Sequence, residues 1–197
     1  MTQRTDLFDD LCCFFLTIRL ARPTVVSLVA EVDALRAAYL KMQKHHPVTC
    51  HAMVVLPDHL HAVWSMPETA TEIGNRVGML KSRFSRALPD VAPSPGVPKM
   101  RDGERGIWLR GYDHHPIPTA EARANAVRWC WNNPVKHGLC ARPEDWPYSS
   151  LHRDMRKQNA SLRALHTPAT GRQSRNSATA SAAPSNGIAT RASPAMA

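Results

Sequence analysis

Val54-Val55-Leu56-Pro57-Asp58-His59-Leu60-His61-Ala62-Val63-Trp64 is an apolar run interrupted once, at Pro57-Asp58, and that interruption decides how the surrounding chain folds. A Pro-Asp pair between two β-prone runs reads as a tight turn joining two strands. The second strand carries His59 and His61. Side chains two residues apart on a strand leave the same face of the sheet, so the two imidazoles project together, close enough to share one divalent metal ion. Two histidines on a half-exposed strand would show the same spacing, and spacing alone does not separate the readings.

Upstream, a strand from about Thr49 to Leu56 enters the turn. Before it, Leu28, Val32, Leu35, Tyr39 and Met42 recur in steps of four and three, the apolar stripe of a helix ending before Pro47. Earlier still, Cys12 to Ile18 is dense in aromatic and β-branched residues and is closed by Pro23, a buried first strand. Downstream, Ile73, Val77, Leu80, Phe84 and Leu88 mark a second helix, whose other faces hold Arg76, Lys81, Arg83 and Arg86. That polar side is a candidate phosphate-contacting surface, and equally the pattern of a solvated face.

Residues 89 to 106 are broken by Pro89, Pro93, Pro95, Gly96, Pro98, Gly103 and Gly106 and read as a flexible loop. Trp108 to Ile117 reads as a fourth strand. Thr119 stands where a helix N-cap belongs, and Ala120 to Asn133 lacks Gly and Pro, giving a third helix that stops at Pro134. The order strand, helix, strand, strand, helix, strand, helix describes an α+β fold with helices packed on a sheet. One domain is expected over residues 1–157, and 158–197, rich in Ala, Ser, Thr and Arg, is expected to be a disordered basic tail.

The chain has 197 residues, 43% of them apolar, enough for one domain with a proper core. Its formal charge of +9 is unevenly placed: six of the 25 basic residues and no acidic one lie beyond Asp154, leaving 19 against 16, or +3, in the rest. A polyanionic partner such as DNA or RNA is compatible with this balance but not required by it. Cys12, Cys13, Cys50, Cys130 and Cys140 form an odd set without CxxC spacing and read as buried small hydrophobes in a reducing compartment. The apolar run Leu11 to Ile18 is too short to cross a bilayer and follows Asp9 and Asp10, unlike a signal peptide, so a cytoplasmic protein without a membrane partner is expected.

Three separated segments fit one pattern: Leu56-Pro57-Asp58-His59-Leu60-His61; Gly106-Ile107-Trp108; and Asn132-Asn133-Pro134-Val135-Lys136-His137-Gly138-Leu139 followed by Glu144-Asp145-Trp146-Pro147-Tyr148-Ser149-Ser150-Leu151-His152-Arg153. In this order and spacing they closely resemble the REP-associated tyrosine transposases, single-tyrosine members of the HUH (His-hydrophobe-His) nucleases. The resemblance runs from about Phe14 to Arg156. The glycine-rich segment usual ahead of the first strand in that family is missing. The resemblance implies a ferredoxin-like antiparallel sheet, Mg2+ or Mn2+ held by His59, His61 and Asn133, and single-stranded DNA hairpins of the REP type as partners, bound by a single copy of the chain.

In that family a tyrosine one helical turn before the third ligand attacks single-stranded DNA, leaving a 5′-phosphotyrosine and a free 3′-hydroxyl. Residues four apart on a helix share a face, so nucleophile and ligand can address one metal. Four residues before Asn133 this chain has Trp129, and an indole has no hydroxyl with which to form a phosphoester. Trp129 retains the capacity to pack or to stack on a base. Of the three tyrosines, Tyr39 belongs to the first helix stripe and Tyr148 to the Trp146-Pro147 turn, which leaves Tyr112 as the substitute nucleophile to consider.

Arg83, Arg86, Arg110, Lys136 and Arg153 are the candidate phosphate contacts. His114 and His115 are neighbours on a strand, face opposite ways and do not make a second metal pair. Three functional readings follow. The first is a transposase-like protein that binds metal and DNA hairpins with cleavage and joining impaired; the second keeps turnover through Tyr112 or as a metal-dependent hydrolytic nuclease; the third is a non-catalytic DNA-binding or structural protein whose histidines bind nothing or structural zinc.

Overall fold

A computed structural model describes residues 11–21, 25–67, 70–89 and 105–166. Four strands, β1 (Leu11–Arg19), β2 (Thr49–Val55), β3 (His59–Pro67) and β4 (Asp113–Ile117), form one antiparallel sheet in the order β2-β3-β1-β4. Helices α1 (Val32–His45) and α2 (Ala70–Ala87) connect β1 to β2 and β3 to β4, which gives the ferredoxin-like arrangement. A third helix, α3 (Ala120–Trp131), follows β4. Leu28, counted with the first helical stripe, is buried but precedes α1 in a turn, where its N–H donates to the Pro57 carbonyl.

The alternation of β1 divides the core. Phe14, Leu16 and Ile18 join Leu60, Ala62 and Trp64 under α1 and α2, where Leu35, Met42, Ile73, Val77, Leu80 and Phe84 complete the larger cluster. Cys13 and Phe15 point the other way and meet Val54, Val63, Ala126, Val127 and Cys130 beneath α3. β3 is thus covered on both faces, and its two histidines are interior groups rather than members of a half-exposed strand.

Several expectations are corrected. The fourth strand begins at Asp113, not Trp108; Trp108 makes only an isolated bridge to Leu20. Arg76 leaves the polar face of α2 and is buried, its guanidinium held by Glu72 and the Pro47 carbonyl. The third helix does stop ahead of Pro134, at Trp131, but a further short helix follows it. After a jog at Asn132 the axis resumes as α4 (Asn133–Lys136), because a proline in the first turn of a helix forfeits no intrahelical hydrogen bond. Gly138, at φ +66°, then ends it with left-handed backbone.

The region expected to be tail begins as a helix. α5 (Leu151–His166) runs through the expected boundary at residue 157, since this segment has neither Gly nor Pro and is rich in Arg, Lys, Gln, Ala and Leu. Residues 167–197, and most of the loop expected at 89–106, lie outside the described residues. Just before α5, the Tyr148 carbonyl accepts from Val55 N–H and Ser150 N–H donates to the Met53 carbonyl, so this segment covers the open edge of β2. No helix among the described residues is long and apolar enough to cross a membrane.

Candidate functional site

His59 and His61 stand on the α3 side of β3, 7% and 5% exposed, opposite Arg19 and Thr17 of β1. Their Nε2 atoms are 3.1 Å apart. Each ring is fixed from behind: His59 Nδ1 lies 2.6 Å from Asp58 Oδ1, and His61 Nδ1 lies 2.9 Å from Thr17 Oγ1. A carboxylate can only accept, so neutral His59 carries its hydrogen on Nδ1 and turns the Nε2 lone pair forward. When Thr17 accepts from His61 in the same way, two lone pairs converge on one point. That is the orientation in which paired imidazoles bind a cation, with each outer nitrogen tied to an oxygen.

Burial, then the nearby charges of His59, Arg19 and His137, push the His61 pKa down to about 3, so the ring is neutral and able to act as a ligand near pH 7. Burial works against the Asp58 carboxylate, but the hydrogen bond and charge of His59 outweigh it and hold its pKa below the usual value. Cys130 ties α3 to β3, its thiol 3.7 Å from the His61 carbonyl oxygen.

Two residues from the helical side border the pair, Trp129 of α3 and His137 just after α4. The Trp129 ring is 5.0 Å from His61 and 5.1 Å from Phe15, edge-on to both. The His137 ring is 5.2 Å from His59. Asn133, midway between them in sequence, is 2% exposed, and its Oδ1 is buried without a hydrogen-bond partner. Leaving such an acceptor unsatisfied costs on the order of 1–3 kcal/mol. A bound cation would offset that cost, and two imidazole nitrogens plus one amide oxygen are a chemically suitable donor set for one. Among the described residues no group of three or more His, Cys, Asp or Glu is placed to hold a metal ion.

No family model matches the chain. A Haemophilus influenzae relative named as a REP-associated tyrosine transposase is 34% identical over 145 residues, which cover 74% of this chain and 82% of the relative. The chain belongs to the REP-associated tyrosine transposase family. The family's Escherichia coli K12 member is 30% identical over 142 residues, covering 72% of this chain and 78% of that protein. A solved REP-associated tyrosine transposase, in complex with a REP hairpin, matches the fold with a TM-score of 0.62 at 25% identity, covering 92% of this chain and all of that one.

Against the tyrosine that gives this transposase family its name, the placement of the tyrosines here is decisive. The chain has three, and Tyr39, Tyr112 and Tyr148 all pack against the core cluster under α1 and α2. Tyr112 in particular points at α2, where its hydroxyl would lie 3.7 Å from a Cβ added at Gly74. Tyr112 therefore packs on the face of the sheet opposite the histidine pair, not beside it as the expected role of substitute nucleophile requires. Trp129, 41% exposed, is the aromatic residue of the site, with the Lys136 ammonium 4.5 Å from its ring centroid.

The candidate phosphate contacts scatter. Lys136 is at the site through Trp129. Arg153 is instead engaged by Asp154 and the His51 carbonyl, fastening α5 to β2. Arg83 is exposed on α2, while Arg86 and Arg110 line a groove on the α2 side of the sheet. His114 contacts Phe14 and Tyr112, and His115, paired with Phe15, shares the α3 face; both are exposed. Sequence reasoning missed Asp58, Thr17 and His137. The four-residue step from Asn133 could have flagged His137, whereas nothing in the sequence aligns Thr17 with His61 before the strand register is known.

Proposed function

We propose that this chain binds single-stranded DNA hairpins of the REP type and holds Mg2+ or Mn2+ with His59, His61 and Asn133, without forming a phosphotyrosine. The observation that carries the reading is the 3.1 Å approach of the His59 and His61 Nε2 atoms, and the buried, unpartnered amide oxygen of Asn133 supports the choice of third donor. Family membership supports DNA as the partner, and the hairpin complex of a related protein supports the folded form of that DNA.

When bound, the metal supplies charge to polarise a phosphate oxygen. Every other role falls to the protein. Asp58 sets the His59 tautomer and Thr17 holds the His61 ring, Lys136 places a cation over Trp129, and Trp129 offers an exposed ring where the family places its nucleophile. An indole offers no oxygen to phosphorus, so the covalent step has no starting atom. What the site retains is the ability to grip a nucleotide backbone.

Hairpin DNA carrying a single-stranded flank, incubated with purified protein and Mn2+, tests this. Binding detected by fluorescence anisotropy with no protein-linked DNA on a denaturing gel is the expected result. A metal-dependent covalent adduct, or equal affinity for hairpin and unrelated DNA, contradicts it.

A further inference from the structure

α3 packs over β2 and β3, and the β4 end of the sheet stays open, exposed from Asp113 to Pro116. Where the covered and open halves meet, three rings stand in a row on the α3 face. Trp129 of α3 is 5.1 Å from Phe15 of β1, and His115 of β4 is the cross-strand partner of Phe15. From this row we propose that the open half is a platform on which unpaired bases of single-stranded DNA stack as the strand passes the histidine pair. The proposal rests on the DNA-binding reading above and deepens it by naming the part of the DNA that the surface holds.

Trp129 differs from the other tryptophans of the chain in what holds it. Trp64 is sealed in the core. Trp108, Trp131 and Trp146 are part-buried, and each is pinned by its indole N–H, which donates to the Lys81 carbonyl, to Ser150 Oγ and to the Val55 carbonyl in turn. Trp129 is exposed, and among the described residues no hydrogen bond fixes its N–H. A lone exposed apolar side chain is ordinary on a protein surface. This one borders His61, 5.0 Å between ring centroids, so a nucleotide gripped beside the imidazoles meets its ring.

Unpaired bases are the ligand that such a row fits. In a duplex each base is already stacked on its neighbours, whereas an unpaired base presents a π face that any aromatic ring can cover. The charges agree with a nucleotide backbone alongside. The Lys136 ammonium lies 4.5 Å from the Trp129 centroid and makes no ion pair among the described residues. Arg128 is exposed, its guanidinium held by the neutral Asn125 amide. Two carboxylates border this end of the sheet, and both are engaged, Asp58 by His59 and Asp113 by Arg19.

The lysine does not block the ring. An exposed cation–π contact is worth less than a base stacked on the same ring, so an arriving base displaces the ammonium. The flexible lysine chain then turns its charge to the phosphate of that nucleotide. Base and phosphate of one residue are thereby held by Trp129 and Lys136 together, next to the histidine pair.

Hairpin DNA carrying a single-stranded flank tests the platform, with abasic nucleotides placed one at a time along the flank and Mn2+ present. Anisotropy should find a flank position at which removing the base weakens binding to the wild-type protein by about tenfold. Trp129→Leu keeps an apolar side chain and loses the ring. It should weaken binding of the intact flank by a similar factor and no longer distinguish intact from abasic DNA at that position. Trp129→Phe keeps a ring and should retain most of the discrimination. One measurement needs no variant: 2-aminopurine at the sensitive position should lose fluorescence on binding to wild-type protein, as this base does when a ring stacks on it. Flank positions that all tolerate base removal, a full abasic penalty persisting in folded Trp129→Leu, or 2-aminopurine that stays bright overturn the platform while leaving hairpin binding intact. Wild-type protein that fails to hold the hairpin overturns the reading beneath it as well.

Discussion

Trp129 stands edge-on to His61 with 5.0 Å between ring centroids, four residues ahead of Asn133, and the three tyrosines of the chain pack instead against the core cluster under α1 and α2. On the proposed reading, a phenol restored at this one position supplies the nucleophile that the indole lacks. Trp129→Tyr should gain a Mn2+-dependent covalent adduct with hairpin DNA, visible as a shifted band on a denaturing gel. The same variant carrying Tyr112→Phe should gain it equally, because Tyr112 faces α2. Loss of the adduct on adding Tyr112→Phe would refute the geometry.

Thr17 and Asp58 act through the histidines they hold. Thr17→Val and Asp58→Asn each free one imidazole to rotate or change tautomer, and loss of such supporting groups ordinarily weakens metal binding about 10- to 100-fold. Calorimetry with Mn2+ should show that loss. Removing a single hydrogen bond of this kind changes stability by only about 1 kcal/mol, so the fold should persist. Wild-type affinity in both variants would contradict the role given to them.

How much of this was legible beforehand follows from which interactions are local. The histidine pair, the Thr119 cap, whose Oγ1 accepts from Ala122 N–H, and the α2 stripe are written in near-neighbour spacing and could be read directly. Arg76 could not: its place on the helix looks polar, and only the approach of the Pro47 carbonyl and Glu72 makes it an interior group. Tyr112 failed as a candidate for a similar reason. Its face depends on β4 beginning at Asp113, and a strand read from Trp108 does not fix which residues pair with β1. Pro134 reads as a stop, and α3 does end before it, but the same proline also sits in the first turn of α4, a role that is identical in sequence.

Acid should destabilise the metal-free protein through His61. Its pKa is near 6.5 in the unfolded chain and about 3 in the fold, so between those values only the unfolded state takes up the proton. The stability tied to the neutral ring is complete above about pH 6.5 and falls by up to ~1.4 kcal/mol per pH unit as the solution is acidified. Urea unfolding in EDTA at pH 7, 6 and 5 should show a steeper decline for wild type than for His61→Gln. Parallel declines would contradict burial of a neutral imidazole at this position.

The convergence of His59, His61 and Asn133 on one cation is tested most directly by titrating Mn2+ into wild-type, His59→Ala and Asn133→Ala protein, with calorimetry and the electron paramagnetic resonance of the bound ion as readouts. Mn2+ is the ion of choice because its paramagnetism makes the bound ion directly observable. The expected result is one ion per wild-type chain, no measurable binding in His59→Ala, and affinity weaker by about tenfold or more in Asn133→Ala, with circular dichroism unchanged throughout. Wild-type protein that takes up no Mn2+, or variants that bind it as wild type does, would contradict the shared site.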